Sequence, residues 1–442
     1  MPNSNSIVGM NNIFTKSILA IAALCCFTAV PAQEANYDES KIPPYTLPDP
    51  LVTTNGKPVR TQKEWKEKRR PEIFALFESR MYGKAPIGKP KDLHFKVLSE
   101  DKNALGGTAT RKEVAVYFTK GDAHYMTILM YLPNQVKTPV PLFVGLNFEG
   151  NYTIDKDPAI TVTSGWVPNN ETIKNNKANP ALRGSASTRW PVALILQHGY
   201  GVATIYSGDI DPDYDDGFQN GVHPLFYEKG QTKPRVDQWG TIAAWAWGLS
   251  RAMDYFEKDK AIDKKHVVVI GHSRLGKTAL WAGACDQRFA MVVSNDSGCG
   301  GASLSRRTIG ETVALINKTF PYWFCDNFKQ YSNNENALPI DQHELIALIA
   351  PRPVYIASAS EDFWADQKGE FLSGVFASPV YELFGLKGLP VKEMPQANQP
   401  VQTGAIAYHI RTGVHDITPY DWEQYLNFAD KYFKKTGEAV SR

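Results

Sequence analysis

The segment Gly271-His-Ser-Arg-Leu-Gly-Lys277 places a serine where a strand is expected to turn into a helix. It follows the wholly apolar run Val267 to Ile270 and leads into a helical run from Thr278. A sharp turn of this kind exposes the serine hydroxyl, and the next backbone N–H can stabilise an oxyanion. The second glycine comes one residue later than in G-x-S-x-G, and a serine that merely caps the helix is the alternative. We predict that Ser273 is a nucleophile.

A carboxylate and a histidine follow this serine in the order that such a nucleophile needs. Glu361 and Asp362 come directly after an apolar strand-like run, and His415 lies in a short glycine-bearing loop near the C-terminus. A neutral imidazole can take the serine proton, and a carboxylate can fix its tautomer and stabilise the imidazolium. The alternatives are a surface histidine and a helix-capping aspartate. The order Ser, acid, His predicts a catalytic triad of Ser273, His415 and one of the two acids Glu361 and Asp362.

Two cations flank the nucleophile at the start of the expected helix. Arg274 and Lys277 lie in its first turn, where the helix dipole already contributes positive charge. Lys277 is four residues after Ser273 and therefore shares its helical face. We expect Arg274 to help bind the oxyanion and Lys277 to hold substrate hydroxyls or a carboxyl group. Solvent-facing side chains are the alternative, but there the two cations would gain nothing from the helix.

The elements that must position these residues alternate along the second half of the chain. Apolar residues from Trp239 to Phe256 recur at three- and four-residue intervals, which predicts a helix. Strands are predicted at Glu113–Phe118, Met126–Leu132, Pro141–Phe148, Ala193–Leu196, Gly201–Tyr206, Val267–Ile270, Ala290–Ser294, Pro353–Ala357 and Ala405–Ile410, with further helices at Glu72–Met81 and Trp422–Phe433. This alternation predicts a doubly wound, mostly parallel α/β sheet with helices on both faces.

The N-terminus predicts an export signal. Lys16 precedes an apolar run that ends before Pro31-Ala32, so cleavage after Ala32 is expected, and the mature protein should be soluble in the periplasm or outside the cell. Leu24 disfavours lipid attachment at Cys25. Residues 33–442 then form one catalytic domain, with an extended arm at 33–60 and a long loop insertion at about 151–190. The acid-rich run Asp209 to Asp216 is expected to be a solvated turn, with a calcium loop as the alternative.

Composition excludes several function classes. The chain has 442 residues with 43% hydrophobic content, which is enough for a large core. Its 48 Lys and Arg against 46 Asp and Glu give a net charge of +2, so no broad basic field favours nucleic acid or an anionic membrane. Three cysteines lie outside the predicted signal, at Cys285, Cys299 and Cys325. Because three is an odd number, at least one of them cannot form a disulfide within the chain. No metal or other cofactor is expected, and we expect a monomer.

Val267 to Arg306, with its Gly-His-Ser-Arg-Leu-Gly-Lys motif, resembles the glucuronoyl esterases of carbohydrate esterase family 15, in particular bacterial members. The resemblance extends from about Ile42 to the C-terminus and implies an α/β-hydrolase fold. It also implies a serine esterase that cleaves the ester between 4-O-methyl-glucuronic acid on xylan and a lignin alcohol, so glucuronoxylan is the expected partner. By this similarity Lys277, Glu311 and Trp364 contact the sugar hydroxyls, and Arg274 supports the oxyanion.

The triad acid departs from the family pattern. Some members have a glutamate where this chain has Asp296, and others use the later loop that carries Glu361 and Asp362. Because aspartate is one methylene shorter, we favour Asp362, keep Asp296 as an auxiliary or alternative acid, and place Glu361 third. His272 stands where many fungal members have a disulfide cysteine. An acetyl-xylan or related carbohydrate deacetylase is the alternative activity, and an inactive carbohydrate-binding homologue of the hydrolases is the other alternative.

Overall fold

The computed structural model describes residues 35–136 and 139–434, so the predicted signal at residues 1–32 lies outside the described residues. Within these ranges nine strands form one sheet, in the order β1-β2-β3-β5-β4-β6-β7-β8-β9. Their bounds are β1 His94–Ala104, β2 Ala109–Tyr117, β3 Tyr125–Pro133, β4 Val140–Asn147, β5 Gly201–Tyr206, β6 Ile262–His272, β7 Met291–Asn295, β8 Val354–Ala359 and β9 Ile406–Arg411.

The sheet is antiparallel at one side and parallel at the other. Strands β1, β2, β3 and β5 pair antiparallel, whereas β5, β4 and β6 to β9 pair parallel. The central strands carry apolar side chains on both faces, as expected for a parallel sheet covered by helices. Their carboxyl ends meet along one edge, where His272 is level with Asn295. This edge receives the loops with the predicted catalytic residues.

Helices cover both faces of the sheet. Their bounds are α1 Gln62–Glu64, α2 Arg70–Phe77, α3 Val192–Gln197, α4 Thr241–Phe256, α5 Arg274–Cys285, α6 Val313–Thr319, α7 Gln342–Ala347, α8 Gln367–Glu382 and α9 Pro419–Phe433, with short turns of other helix types between them. One core cluster packs α2 and α4 to α8 against the sheet, and a second packs α3 and α9 against the opposite face. The arrangement is the predicted α/β-hydrolase fold with three layers.

The predicted elements are confirmed with two exceptions. Residues 193–196 are helical rather than extended, because they belong to α3, whose Val192 and Ile195 pack against the sheet from outside. Strand β1 was not predicted, since its sequence from His94 to Ala104 is mostly polar and half of its length faces solvent at the sheet edge. Cys285, Cys299 and Cys325 are free thiols.

The segments predicted as an N-terminal arm and a long insertion contain little regular secondary structure. Residues 35–60 contain one short helical turn, and Glu39 in that turn pairs with Arg307 and Lys368. The helices of the insertion at 151–190 are short helical turns, and the insertion lies near the carboxyl end of β6. Among the helices of the described ranges, none has the length and apolar character needed to cross a membrane.

Candidate active site

Ser273 occupies a strained turn between β6 and α5. Its φ of 58° and ψ of −131° lie in a region that side-chain-bearing residues rarely adopt. The turn is possible because Gly271 lacks a side chain: a Cβ there would lie 1.9 Å from the carbonyl oxygen of Leu275. At Gly276 the space is tight but less so, because an added Cβ would lie 3.0 Å from the Cβ of Ser297. Gly276 comes one residue later than the second glycine of G-x-S-x-G. Close packing of the first turn of α5 explains why this later position carries a glycine.

The start of α5 supplies hydrogen-bond donors beside the serine. The first backbone N–H groups of any helix have no acceptor within the helix. The N–H of Arg274 is the first of these, and it follows directly after the Ser273 carbonyl carbon. A negative oxygen that develops next to Ser273 would also gain from the positive end of the helix dipole. The local backbone is thus suited to an oxyanion.

His415 and Asp362 form a close pair at the same edge of the sheet. His415 Nδ1 lies 2.5 Å from Asp362 Oδ2. The Asp362 side chain is only 4% exposed, whereas that of His415 is 40% exposed. With Nδ1 bound to the carboxylate, Nε2 is the ring nitrogen left for proton transfer. A further contact fixes the ring, because His272 lies with its ring centre 4.6 Å from that of His415.

The loops that carry this pair are joined to each other through the backbone. The N–H of Ser360 donates to the carbonyl of Arg411, and the N–H of Glu361 donates to that of Gly413. These bonds continue the pairing of β8 with β9 beyond the strand ends. The side chain of Glu361 is exposed and makes no hydrogen bond to His415 among those of the described residues, whereas that of Asp362 does. Adjacent residues on one extended loop thus differ in role.

Arg411 holds the histidine loop in place. Its Nη2 donates to the carbonyls of Val414 and Asp416, on either side of His415, at 2.7 and 2.6 Å. Its Nε donates to Asp421 at 2.9 Å. Because an Arg guanidinium is planar and rigid, these bonds fix the loop backbone. Sequence reasoning missed this residue, since an arginine at the end of a strand has no distinguishing local signal.

Asp296 lies beside the pair but does not bind His415 in the same way. One polar atom each of Asp296, Asp362 and His415 falls within 4.8 Å of the others, a spacing that could also hold a metal. Two ligands of one zinc ion would be separated by about 3.4 Å, judging from usual bond lengths and tetrahedral angles. The 2.5 Å contact between Asp362 and His415 is shorter and fits a hydrogen bond instead. The arrangement therefore favours proton chemistry.

The environment of Asp296 disfavours its charged form. The residue is 2% exposed, and its Oδ1 is buried without a partner among the described residues. Burial raises the pKa of Asp296 well above its usual value, and the nearby carboxylates of Glu370 and Asp362 raise it further, while Arg411 opposes them. A protonated Asp296 lying next to an ionised Asp362 would avoid charge repulsion. This favours Asp362 as the triad acid.

Glu370 supports the loop after β7 from within the protein. Its Oε1 accepts the N–H groups of Ser297 and Gly298 at 2.7 and 2.9 Å, and its Oε2 accepts the Ser358 hydroxyl at 2.6 Å. Burial raises the pKa of Glu370 to about 8 despite these donors. This carboxyl therefore ties the Asp296 loop to β8, and sequence reasoning gave no sign of it.

Arg274 is held by an acid that sequence reasoning assigned to a solvated turn. Its Nη1 pairs with Asp213 Oδ2. Asp213 Oδ1 also accepts bonds from Tyr322 Oη at 3.0 Å and Trp323 Nε1 at 2.8 Å. The guanidinium carbon lies 5.0 Å from the centre of the Trp323 ring, and Arg274 Nε is buried without a partner among the described residues. The prediction of a solvated turn is therefore wrong at Asp213.

The same correction applies elsewhere in the acid-rich run. Asp211 is 2% exposed and contacts the ring of His223 and the hydroxyl of Thr241. Its role is to fix the start of α4. Sequence reasoning misjudged the run because closely spaced acids usually face solvent, whereas here Asp211 and Asp213 make contacts within the protein.

Lys277 forms a buried ion pair with Glu311. Its Nζ donates to Glu311 Oε2 at 2.9 Å and to the carbonyls of Ser297 and Cys299 at 2.8 and 2.6 Å. An ammonium has three donors, so all of them are used within the protein. Glu311 Oε1 accepts no hydrogen bond from the described residues. This geometry favours Glu311 for contact with a substrate hydroxyl, and direct contact by Lys277 stays a prediction.

One cavity of about 350 Å³ brings the predicted residues together. Phe320 and Trp323, which sequence reasoning did not select, also line it. The predicted residues around this cavity are Ser273, Arg274, Lys277, Asp296, Glu311, Asp362, Trp364 and His415. Trp364 is 42% exposed at the rim. We call this space the catalytic cavity.

Comparison with known proteins identifies the family. The chain is 54% identical over 400 residues to carbohydrate esterase MZ0003 from an unknown prokaryotic organism, and the match covers 90% of this chain and 92% of that one. The chain belongs to carbohydrate esterase family 15. A profile described as "Glucuronyl esterase, fungi" matches residues 200–385 of this family 15 member. A 4-O-methyl-glucuronoyl methylesterase 1 from Wolfiporia cocos is 32% identical over 365 residues, which are 78% of this chain and 75% of that one.

Solved structures of family 15 proteins agree with this assignment. A promiscuous CE15 esterase from a marine bacterial metagenome matches with a TM-score of 0.84 and 54% identity, covering 90% of this chain and 99% of that one. A glucuronoyl esterase from Solibacter usitatus matches with a TM-score of 0.85 and 48% identity, covering 89% and 100%. The family 15 member described here is therefore a carboxylic ester hydrolase with the α/β-hydrolase fold.

Proposed function

We propose that this protein is a glucuronoyl esterase that hydrolyses the ester between a (4-O-methyl-)glucuronic acid side chain of xylan and a lignin alcohol. The supporting observation is the catalytic cavity, which joins the His415–Asp362 pair and the strained Ser273 to two cations. The relatives named as glucuronoyl esterases lend the substrate class. Within the cavity, Ser273 and the His415–Asp362 pair would act on the ester bond, and the neighbouring ion pairs would contact the sugar ring.

The proposed reaction passes through an acyl-enzyme. Ser273 Oγ attacks the uronoyl carbonyl carbon while His415 accepts the hydroxyl proton. The tetrahedral oxyanion is stabilised by the backbone N–H and the guanidinium of Arg274, whose Nε has no acceptor among the described residues. His415 then gives its proton to the alcohol oxygen as the bond between that oxygen and the carbonyl carbon breaks. Water, activated by His415, releases glucuronate and restores Ser273.

The ion pairs of the cavity suit a sugar ring next to the ester. Arg274 is anchored by Asp213, so little side-chain entropy is lost when an oxyanion forms. The second oxygen of Glu311 can accept a hydrogen bond from a hydroxyl, and Lys277 orients this side chain. Trp364 offers a partly exposed ring face at the rim. A plain acetyl group would use none of the last three residues.

Export belongs to the same proposal. The N-terminal 32 residues combine a cation, an apolar run and a small residue at the expected cleavage position. Polymeric xylan does not cross a cell envelope, so its esterase must meet it outside the cytoplasm. N-terminal sequencing of the mature protein from culture medium or periplasm tests this, and a mature protein that still begins at Met1 would contradict it.

The activity is tested by comparing kcat/KM for benzyl glucuronate and for 4-nitrophenyl acetate. We expect a clear preference for the glucuronate ester, together with labelling of Ser273 by a fluorophosphonate. Ser273→Ala should lower kcat by roughly 10⁶-fold, as in a serine hydrolase that loses its nucleophile. A preference for acetate would instead support the deacetylase alternative. Absence of both labelling and turnover would support the inactive carbohydrate-binding alternative.

A further inference from the structure

A second cavity of about 370 Å³ lies apart from the residues assigned to catalysis. It opens between the insertion at 161–166, the start of β3 and the segment from Tyr206 to Tyr214. Its size is within the range of about 300–1,000 Å³ that is usual for small-molecule sites. Neither the triad nor the proposed sugar contacts of the catalytic cavity belong to it. We call it the second cavity.

Aromatic side chains form one wall of the second cavity. Trp166 and Tyr214 are both partly exposed, and their ring centres lie 4.5 Å apart with a 33° angle between the planes. The Tyr206 hydroxyl donates to the carbonyl of Trp166 and so fixes the position of that residue. The faces of such aromatic rings carry partial negative charge and attract the weakly positive C–H groups on one face of a pyranose. A sugar ring can therefore stack against this wall.

Polar groups with unused hydrogen-bonding capacity form the rest of the lining. Asp209 Oδ2 accepts the N–H of Thr127 at 3.0 Å, while Oδ1 accepts no bond from the described residues. His124 also lines the cavity, and its Nε2 is buried without a partner in the described part of the chain. Burial raises the pKa of Asp209 to about 7, so near neutral pH its carboxyl can both donate and accept. Sugar hydroxyls need this mixture.

The charge of the second cavity differs from that of the catalytic cavity. None of its described lining residues is a lysine or an arginine, and its ionisable groups include the carboxyls of Glu113 and Asp209. Glu113 is already satisfied by Ser99 and Thr161. An anionic ligand such as a uronate would meet carboxyl groups there and no compensating cation, which is unfavourable. The catalytic cavity differs because two cations, Arg274 and Lys277, line it together with its carboxyl groups.

The two cavities share a segment of chain. Pro212 and Tyr214 line the second cavity, while Asp213 between them holds Arg274 of the catalytic cavity. In the substrate the uronoyl carboxyl is esterified and therefore neutral, and negative charge develops only at the carbonyl that Ser273 attacks. A cavity without a cation therefore suits the neutral main chain of the polysaccharide, where no such charge develops.

We propose that the second cavity binds a neutral pyranose residue of the polysaccharide main chain whose uronoyl branch is cleaved at Ser273. The proposal rests on the proposed function, since it names the part of that substrate which the catalytic cavity does not contact. Trp166 supplies the stacking face, and Asp209 and His124 receive the hydroxyls. The insertion is then a specificity element for polymeric substrate.

The test uses the full chain and compares two esters. One is benzyl glucuronate, and the other is the same ester on a xylotetraose carrier. We expect Trp166→Ala to lower kcat/KM for the carrier ester about tenfold, equivalent to about 1.4 kcal/mol. Its kcat/KM for benzyl glucuronate should not change. Titration calorimetry with xylotetraose should show a matching tenfold loss of affinity.

Two further variants separate binding from folding of the insertion. Gly165→Phe fills the cavity at a position without positive φ, where an added Cβ meets its nearest atom, Thr163 Oγ1, at 3.4 Å. It should reproduce the effect of Trp166→Ala, whereas Trp166→Phe should restore most of the wild-type value. Tyr37→Ala is the matched control, because Tyr37 is a 56% exposed aromatic residue that lines neither cavity.

The outcomes distinguish this proposal from the proposed function. If the wild type hydrolyses benzyl glucuronate but gains nothing from the xylotetraose carrier, the second-cavity proposal is overturned and the esterase stands. If it hydrolyses neither ester, the proposed function itself fails. Equal losses on both esters for Trp166→Ala and Gly165→Phe would show a structural role and also overturn the proposal. Tighter binding of free glucuronate than of xylotetraose at this site would contradict its neutral character.

Discussion

Replacing Asp362 by asparagine is the sharpest test of the assigned triad. The change keeps the size of the side chain but removes the charge that faces His415 Nδ1 at 2.5 Å. Asparagine can also present its amide N–H₂ to the ring and so favour the wrong tautomer. We expect kcat to fall while the fold is retained.

The size of the loss follows from the charge pair formed during the reaction. In the proposed reaction His415 takes the serine proton, so an imidazolium would form next to the buried carboxyl group of Asp362. For charge centres about 4 Å apart and an effective dielectric constant of about 20, their attraction is about 4 kcal/mol. The 40% exposure of His415 supports the use of this dielectric constant rather than a lower one. Loss of about 4 kcal/mol corresponds to roughly 10³-fold in kcat.

Two neighbouring acids provide matched controls in the same assay. Asp296→Asn should cost less than about tenfold, because the raised pKa of Asp296 already favours its neutral form. Glu361→Gln should leave kcat within about twofold, since its exposed side chain is screened by water. Steady-state kinetics on benzyl glucuronate measures all three variants. A loss near 10³-fold for Asp296→Asn, with Asp362→Asn close to wild type, would refute the assignment of the acid.

Three other perturbations test the surroundings of the triad. Arg411→Met should lower kcat by about 10²-fold with little change in KM, because the His415 loop loses its anchor. If Arg411 were purely structural, the melting temperature would fall without this selective loss of kcat. Asp213→Asn should lower kcat/KM about tenfold by freeing Arg274, and unchanged kinetics would contradict the anchoring. Glu370 holds a proton in the folded state up to its pKa of about 8, so unfolding free energy should fall by a few kcal/mol as pH rises from about 4.5 to 8. In urea titrations Glu370→Gln should flatten this slope, and an unaltered slope would show that other groups cause it.

Much of the fold was predictable because it rests on local pattern. The apolar run at 267–270 and the helical periodicity at 241–256 each reflect burial that the sequence must encode directly. The error at 193–196 arose because a short apolar run fits a strand and a helix equally well, and only packing against β3 and β5 decides between them. Strand β1 was missed because an edge strand needs little apolar character.

The candidate site likewise has features that the sequence determines and features that only the tertiary structure determines. Sequence alone determined the types and order of Ser273, Asp362 and His415, because chain direction fixes which loops reach the carboxyl edge of a parallel sheet. Only the tertiary structure decided that Asp362 rather than Glu361 or Asp296 faces the imidazole. That choice depends on how the loops after β7, β8 and β9 meet, through backbone bonds between residues about 50 positions apart.

The acidic partners of Arg274 and Lys277 were even harder to predict from the sequence. The sequence required some negative group near Arg274 and Lys277, since neither gains from the start of a helix. It could not name Asp213, which lies 61 residues away from Arg274 in the chain. Local sequence determines which groups are present and which way the chain runs through the sheet. The tertiary fold alone determines which distant charges meet, because side-chain electrostatics act through space at a few ångströms and not along the chain.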